Sequence, residues 1–256
     1  MMENTTELII AYFSPTGGTK KVADAIARGF DMPVREVDLC IEIPAMELNE
    51  GDILMAVLPV YAGRVSGIAL ERLAKLRGNG QKAVSVVVYG NREFDDALLE
   101  TKDALEGNGF CVVAAGVFIA EHSIVRSVAA GRPDAEDEKL AMEFGRQVSE
   151  KLDRLAPVQV PGNKPYAQHP PTHFHPSANE ACVKCGVCVE RCPIGAISAE
   201  EPEKCNGDLC INCLRCVKEC PLQCRSMPEP FMAWITDMLD KNAAGYKKPV
   251  IFLSEA

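Results

Sequence analysis

Leu8-Ile9-Ile10-Ala11-Tyr12-Phe13-Ser14-Pro15-Thr16-Gly17-Gly18-Thr19 reads as a buried strand that turns into a helix. Its unbroken apolar start suits a strand covered on both faces. The Ser/Thr/Gly stretch stops the run, and Val22, Ala23, Ile26, Ala27 and Phe30 then recur at helical spacing over residues 19–30. The alternation continues along the chain. Strand patterns occupy 34–39, 52–61, 82–89 and 110–120, and helical patterns occupy 68–76, 95–106 and 134–155. The last helix follows Pro133 and opens with Asp134, Glu136, Asp137 and Glu138, acids that suit its positive end. Five buried strands separated by helices imply an α/β fold with a doubly wound, right-handed parallel sheet. Such sheets bind ligands beyond the carboxyl ends of their strands, so the loops after strands one, three and four are the ones to inspect.

The first loop, residues 14–19, gathers hydroxyls and backbone N–H groups at the positive end of a helix, which is the setting of a phosphate site. No Gly-Lys-Ser/Thr follows it and it is not G-x-G-x-x-G, so neither nucleotide fingerprint applies. A cradle with few cations suits a phosphate monoester, while a plain helix-capping turn would use the same residues. The loop after strand three is Pro59-Val60-Tyr61-Ala62-Gly63-Arg64, and that after strand four is Tyr89-Gly90-Asn91-Arg92-Glu93-Phe94. Each offers an aromatic ring able to cover a flat heterocycle, a permissive glycine and polar groups.

Ten of the 12 cysteines lie between Cys182 and Cys224. Two segments share one spacing, C-x2-C-x2-C-x3-C-P. They are Cys182-Val-Lys-Cys185-Gly-Val-Cys188-Val-Glu-Arg-Cys192-Pro193 and Cys210-Ile-Asn-Cys213-Leu-Arg-Cys216-Val-Lys-Glu-Cys220-Pro221. This resembles the bacterial ferredoxin pattern for [4Fe–4S] clusters, in which the fourth cysteine of each run reaches the other cluster. The resemblance implies one cluster on Cys182, Cys185, Cys188 and Cys220, and a second on Cys210, Cys213, Cys216 and Cys192. Structural zinc favours paired C-x2-C units with a longer gap, and a disulfide framework suits an exported chain. Cys40 and Cys111 sit near strand patterns, as core or near-core residues. Cys205 and Cys224 flank the second motif, either as neighbours of a cluster or as alternative ligands. Leu214 stands where the first motif has Gly186.

With the cysteine module in view, the three loops of the first half resemble flavodoxin. That resemblance implies strand order 2-1-3-4-5, an FMN phosphate held by Ser14, Thr16, Gly17, Gly18 and Thr19, and an isoalloxazine gripped by Pro59, Val60, Tyr61, Ala62, Gly63, Tyr89, Gly90, Asn91 and Phe94. Arg64 and Arg92 depart from the acidic ring loops common in flavodoxins. Either they damp the acidic field around the flavin or they are solvated surface groups. His122, after strand five, falls near the expected flavin rim.

Residues 157–181, with six prolines, read as a linker or an extended strap. His169, His173 and His175 within it are either a metal set or ordinary loop polar groups. Residues 229–241 form an amphipathic helix expected to pack on the body. The expected division is therefore 1–156 flavodoxin-like, 157–181 strap, 182–226 a small α+β two-cluster ferredoxin-like domain, and 227–256 a C-terminal helix and tail. This plan resembles the fused flavodoxin/ferredoxin proteins of the EFR1 type.

Net charge is −9, most of it in the first half, which argues against nucleic acid or an anionic membrane as partner. The acidic N-terminus is unlike a secretory leader and the run 8–13 is too short to cross a bilayer, so a cytoplasmic location without membrane insertion is expected. The implied function is electron transfer between two [4Fe–4S] clusters and FMN, with redox proteins (other ferredoxins or oxidoreductases) as partners, and with transfer inside one chain or across a homodimer. A flavin-dependent reductase of a quinone, nitro compound or flavin, and a redox-sensing or docking subunit, are the rival classes.

Overall fold

The structure, a computed structural model, describes residues 6–168 and 173–255. The opening apolar run is β1 (Leu8–Tyr12), and the Ser/Thr/Gly turn delivers it into α1 (Gly18–Ala27). There follow β2 (Val34–Asp38), β3 (Met46–Glu47), β4 (Ile53–Pro59), α2 (Gly67–Leu73), β5 (Leu76–Arg77), β6 (Lys82–Tyr89), α3 (Ala97–Gly107), β7 (Cys111–Ile119) and α4 (Ala135–Lys151). The second part holds β8 (Ser177–Ala178), α5 (Val187–Glu190), α6 (Arg215–Lys218), β9 (Arg225–Ser226), α7 (Glu229–Asn242) and β10 (Val250–Leu253).

The main sheet has the order β10-β7-β6-β4-β1-β2. Its five parallel strands, renumbered among themselves, run 2-1-3-4-5, the flavodoxin-like doubly wound order. Because side chains alternate along each strand, the core forms two layers. Ile9, Ala11, Leu54 and Val87 face one way, toward α2 and α3; Ile10, Ile53, Met55 and Val86 face the other, toward α1 and α4. The α1–α4 layer is tight: a Cβ added at Gly145 would lie 2.0 Å from the Ile26 carbonyl, so only glycine fits there. Asp134 caps α4 by accepting from the Glu136 and Asp137 amides, and the buried Arg132–Asp137 pair anchors the same turn.

Two features extend the expected plan. The sheet has a sixth strand, β10, which pairs antiparallel with β7 through Val250↔Val117 and Leu253↔Ala114. The run 250–253 has a strand composition, but only the path of α7 brings it to that edge, a long-range fact that the local pattern does not carry. The strap is also bound to the body over much of its length. The Val158 amide donates to Val112 O at 2.9 Å, and the Asn163 and Ala167 amides donate to the Asp96 carboxylate at 2.8 and 2.7 Å. The Tyr166 hydroxyl donates to Asp103, and its ring lies 4.7 Å from the Arg64 guanidinium. Among the described residues no helix is long and apolar enough to cross a membrane.

Candidate functional site

All three loops singled out lie at the carboxyl ends of β1, β4 and β6, as the parallel sheet requires. In the first, Gly17 takes φ +85° and sets the chain into α1. The Ser14 hydroxyl accepts from the Lys20 amide at 2.9 Å, closing the loop around its own start. The amides of Thr16, Gly18 and Thr19 donate to no group among the described residues. Three unclaimed N–H groups at a helix start, with Thr16 and Thr19 hydroxyls beside them, fit a phosphate. Lys20 is committed elsewhere, to Asp24 at 2.7 Å and Glu36 at 3.0 Å.

The ring loops are more encumbered. Tyr61 pairs with Arg64 through both backbone groups and packs on the α2/α3 side of the core. Burial, and then the nearby Cys213 and Cys40, push its hydroxyl well above the usual range, so it stays neutral. Phe94 meets Tyr89 edge-on at 6.0 Å. Asn91, in the left-handed region at φ +64°, turns its amide to the Ala243 and Gly245 carbonyls at 2.6 and 2.9 Å, while its buried Oδ1 has no partner. The Asn91 amide nitrogen thus holds the segment after α7, and its side-chain oxygen and backbone are what it can offer a ring edge.

Arg64 clasps Glu100 with two hydrogen bonds and donates to Ala167 O, and Arg92 pairs with Asp95. Both arginines are therefore structural clamps with paired charges. His122 packs against Gly90, where an added Cβ would lie 2.4 Å from its ring. Its Nδ1 accepts from the Ile124 and Val125 amides, and burial, then Arg92, lower its pKa to about 4.

The cysteine module repeats its backbone as well as its sequence. Lys184, Gly186 and Gly195 take φ of 55°, 81° and 66°, and Asn212, Leu214 and Gln223, each 28 residues later, take 50°, 61° and 50°. The repeated left-handed residues Gly186 and Leu214 start α5 and α6. The strands β8 and β9 close the module in antiparallel pairing. Left-handed geometry costs a leucine about 1–2 kcal/mol that glycine avoids. Leu214 offsets this by burial, 5% exposed, against Val125, Val128, Phe231 and Ile235.

Cys182, Cys185, Cys188 and Cys220 line one cavity, together with Cys224. Cys213 lies within electrostatic reach of Cys216, Cys192 and Cys210, which gathers the other four. A chamber walled by thiols is the donor set an iron–sulfur cluster needs. Burial drives the Cys213 thiol up to about 12, so a metal bound there would displace a proton. Arg225, 3% exposed, sits between the two sets. It donates to Cys188 Sγ at 3.8 Å and to the Pro202 and Pro176 carbonyls, and its charge acts on Cys216 as well.

Cys205 and Cys224 both lie beside these sets. The Cys224 sulfur is 3.5 Å from that of Cys220, and the neighbouring Cys205 thiol holds the Cys210 thiol low. His175 also lies beside Cys210, whereas His173 is exposed and His169 falls outside the described residues.

The two halves meet at the open end of the sheet. Arg72 of α2, 7% exposed, donates to Leu39 O at 2.9 Å and across to Pro193 O at 2.8 Å. Ile211 packs on the same core layer as Tyr61 and Phe94. Lys218 of α6 donates to Thr16 O in the first loop. The sequence gives no local signal for Arg72 or Lys218, because each acts on residues more than a hundred positions away.

A model of the 4Fe-4S binding domain family matches residues 179–198, which hold the first cysteine motif. Among solved structures, a flavodoxin from the domain Archaea is 16% identical over 58% of this chain and 99% of its own, with a TM-score of 0.43. Flavodoxin 1 from Bacillus cereus is 17% identical over 57% and 98%, with a TM-score of 0.42. A Fusobacterium nucleatum flavodoxin variant bound to flavin mononucleotide is 18% identical over 56% and 92%, with a TM-score of 0.40. At such scores the likeness carries no argument, and the fold rests on the strand order above. Comparison with curated proteins found no match.

Proposed function

We propose that the chain is an electron-transfer protein with two [4Fe–4S] clusters and one FMN in series, on the plan of the EFR1-type fusions. When bound, the clusters exchange single electrons and FMN exchanges one or two, so the chain would link one-electron and two-electron redox partners. The observation that carries this reading is that the second cysteine motif is seated on the loops at the carboxyl end of the sheet. Cys213 lies near Tyr61, and Lys218 touches Thr16.

The set Cys210, Cys213, Cys216 and Cys192 is then the inner one, facing the flavin loops. The set Cys182, Cys185, Cys188 and Cys220 is the outer one. Cys185 is exposed, and Val183 and Leu222 beside it are 69% and 50% exposed, an apolar rim on which a redox protein can dock. Repetition of the three left-handed positions supports the second cluster, since the backbone that wraps one set of thiols is built twice. Arg72 holds Pro193, next to the inner-set Cys192, against the body, Tyr61 and Phe94 supply the aromatic faces, and the first loop supplies the phosphate cradle.

Anaerobic purification with joint quantification tests this reading. It predicts about eight iron, eight sulfide and one FMN per chain; a folded protein lacking iron, or with flavin and only about four iron, contradicts it. A second reading, reduction of a small molecule at the flavin, is favoured by the cavity beside Asn91, lined also by Ser127, Arg132, Asp240 and Tyr246. Turnover of a quinone or nitro compound with a one-electron donor would support it.

A further inference from the structure

We infer that Lys218, from the cysteine module, completes the flavin phosphate site by supplying the cation that the phosphate loop itself lacks. This rests on the flavin reading above.

The first loop offers N–H groups and hydroxyls but no free positive charge. The ammonium of the adjoining Lys20 is tied to Asp24 and Glu36. Lys218 enters from more than two hundred residues away. Its ammonium donates to the Thr16 carbonyl and sits 3.6 Å from the position a Gly17 Cβ would take, over the mouth of the loop. One hydrogen bond to Thr16 leaves an ammonium two further donors. Glu121, an acid within electrostatic reach of Lys218, is engaged by Arg126 at 2.6 Å and by the Gly131 amide at 3.0 Å.

The position of Lys218 in its own module gives the contact a consequence. It lies on α6 between Cys216, assigned to the inner cluster, and Cys220, assigned to the outer one. The short segment from Cys216 to Cys220, which would supply a thiol to each cluster, therefore also carries the phosphate contact. Flavin affinity then reports on docking of the cysteine module against the sheet. Reciprocally, a bound phosphate holds that module in place.

The test compares FMN with riboflavin, which has the same ring and no phosphate. Flavin is stripped from cluster-loaded protein under anaerobic conditions, and each ligand is titrated by quenching of its fluorescence. K218Q is expected to weaken FMN about tenfold, as for loss of a charge-assisted hydrogen bond, and to leave riboflavin unchanged. K218R is expected to restore most of the FMN affinity. Raised ionic strength should weaken FMN more in wild type than in K218Q. Iron content equal to wild type shows that the variant keeps its fold. Unchanged FMN affinity in K218Q overturns the inference, and so does an equal loss for FMN and riboflavin, which would mark Lys218 as a purely structural contact. Wild type that binds neither ligand overturns the flavin reading itself.

Discussion

The two cysteine motifs have nearly the same backbone and opposite surroundings. At the first, Gly186 fills the left-handed position with open space around it, and Cys185 faces solvent. At the second, Leu214 fills that position and drives its side chain into α7, and Cys213 is buried near Tyr61. The thiol spacing decides where iron can be held. The residues between the thiols decide whether that site faces the protein or the solvent. A symmetric repeat has in this way acquired an inner and an outer end.

The largest loss is expected at Arg72. R72A leaves the Leu39 and Pro193 carbonyls without their donors at a buried position, and should cost about 3 kcal/mol. Chemical denaturation should show an earlier transition, with iron lost from the inner set before the outer.

Leu214 and Gly186 test the asymmetry directly. L214G relieves about 1–2 kcal/mol of backbone strain but removes a buried leucine worth about 3 kcal/mol. The net loss should be about 1–2 kcal/mol, with a changed emission from Trp234, the only tryptophan, as α7 loosens. G186L gains strain and no packing, since nothing lies within 4 Å of its Cβ. It should cost about 1–2 kcal/mol and leave Trp234 emission unaltered.

A smaller effect concerns pH. His122 has its pKa lowered to about 4, so the folded state favours the neutral ring. Its contribution is complete above the ordinary histidine range and is lost as pH falls from about 6.5 toward 4. With part of the ring reached by water, the loss should be about 1 kcal/mol. H122N should flatten that portion of the stability–pH curve, and an unchanged curve would show that His122 does not titrate in this window.

How much of this is legible in the sequence follows from the range of each interaction. The five parallel strands and their helices rest on local periodicity, and they emerge within a few residues of the expected bounds. The cysteine spacing is likewise local. What escapes is whatever joins distant segments. The pairing of β10 with β7 depends on where α7 ends. Arg72 resembles any helical arginine until Pro193 arrives beside it, and Lys218 resembles any exposed lysine. Arg64 and Arg92 were open between field-damping and surface roles, and their partners Glu100 and Asp95 give them a clamping role instead. The bond from the Asn91 amide to the C-terminal segment is likewise invisible locally, because Ala243 and Gly245 lie more than 150 positions away.

Reduction of bound flavin in two variants reports most directly on the order of the sites. C213A and C185A should each fall to about four iron per chain. With a one-electron protein donor, C185A should stall both the remaining cluster and the flavin. C213A should still reduce its outer cluster while its flavin stays oxidised. Flavin reduced at the wild-type rate in C213A would contradict the claim that the Cys213 set stands between the outer thiols and the sheet.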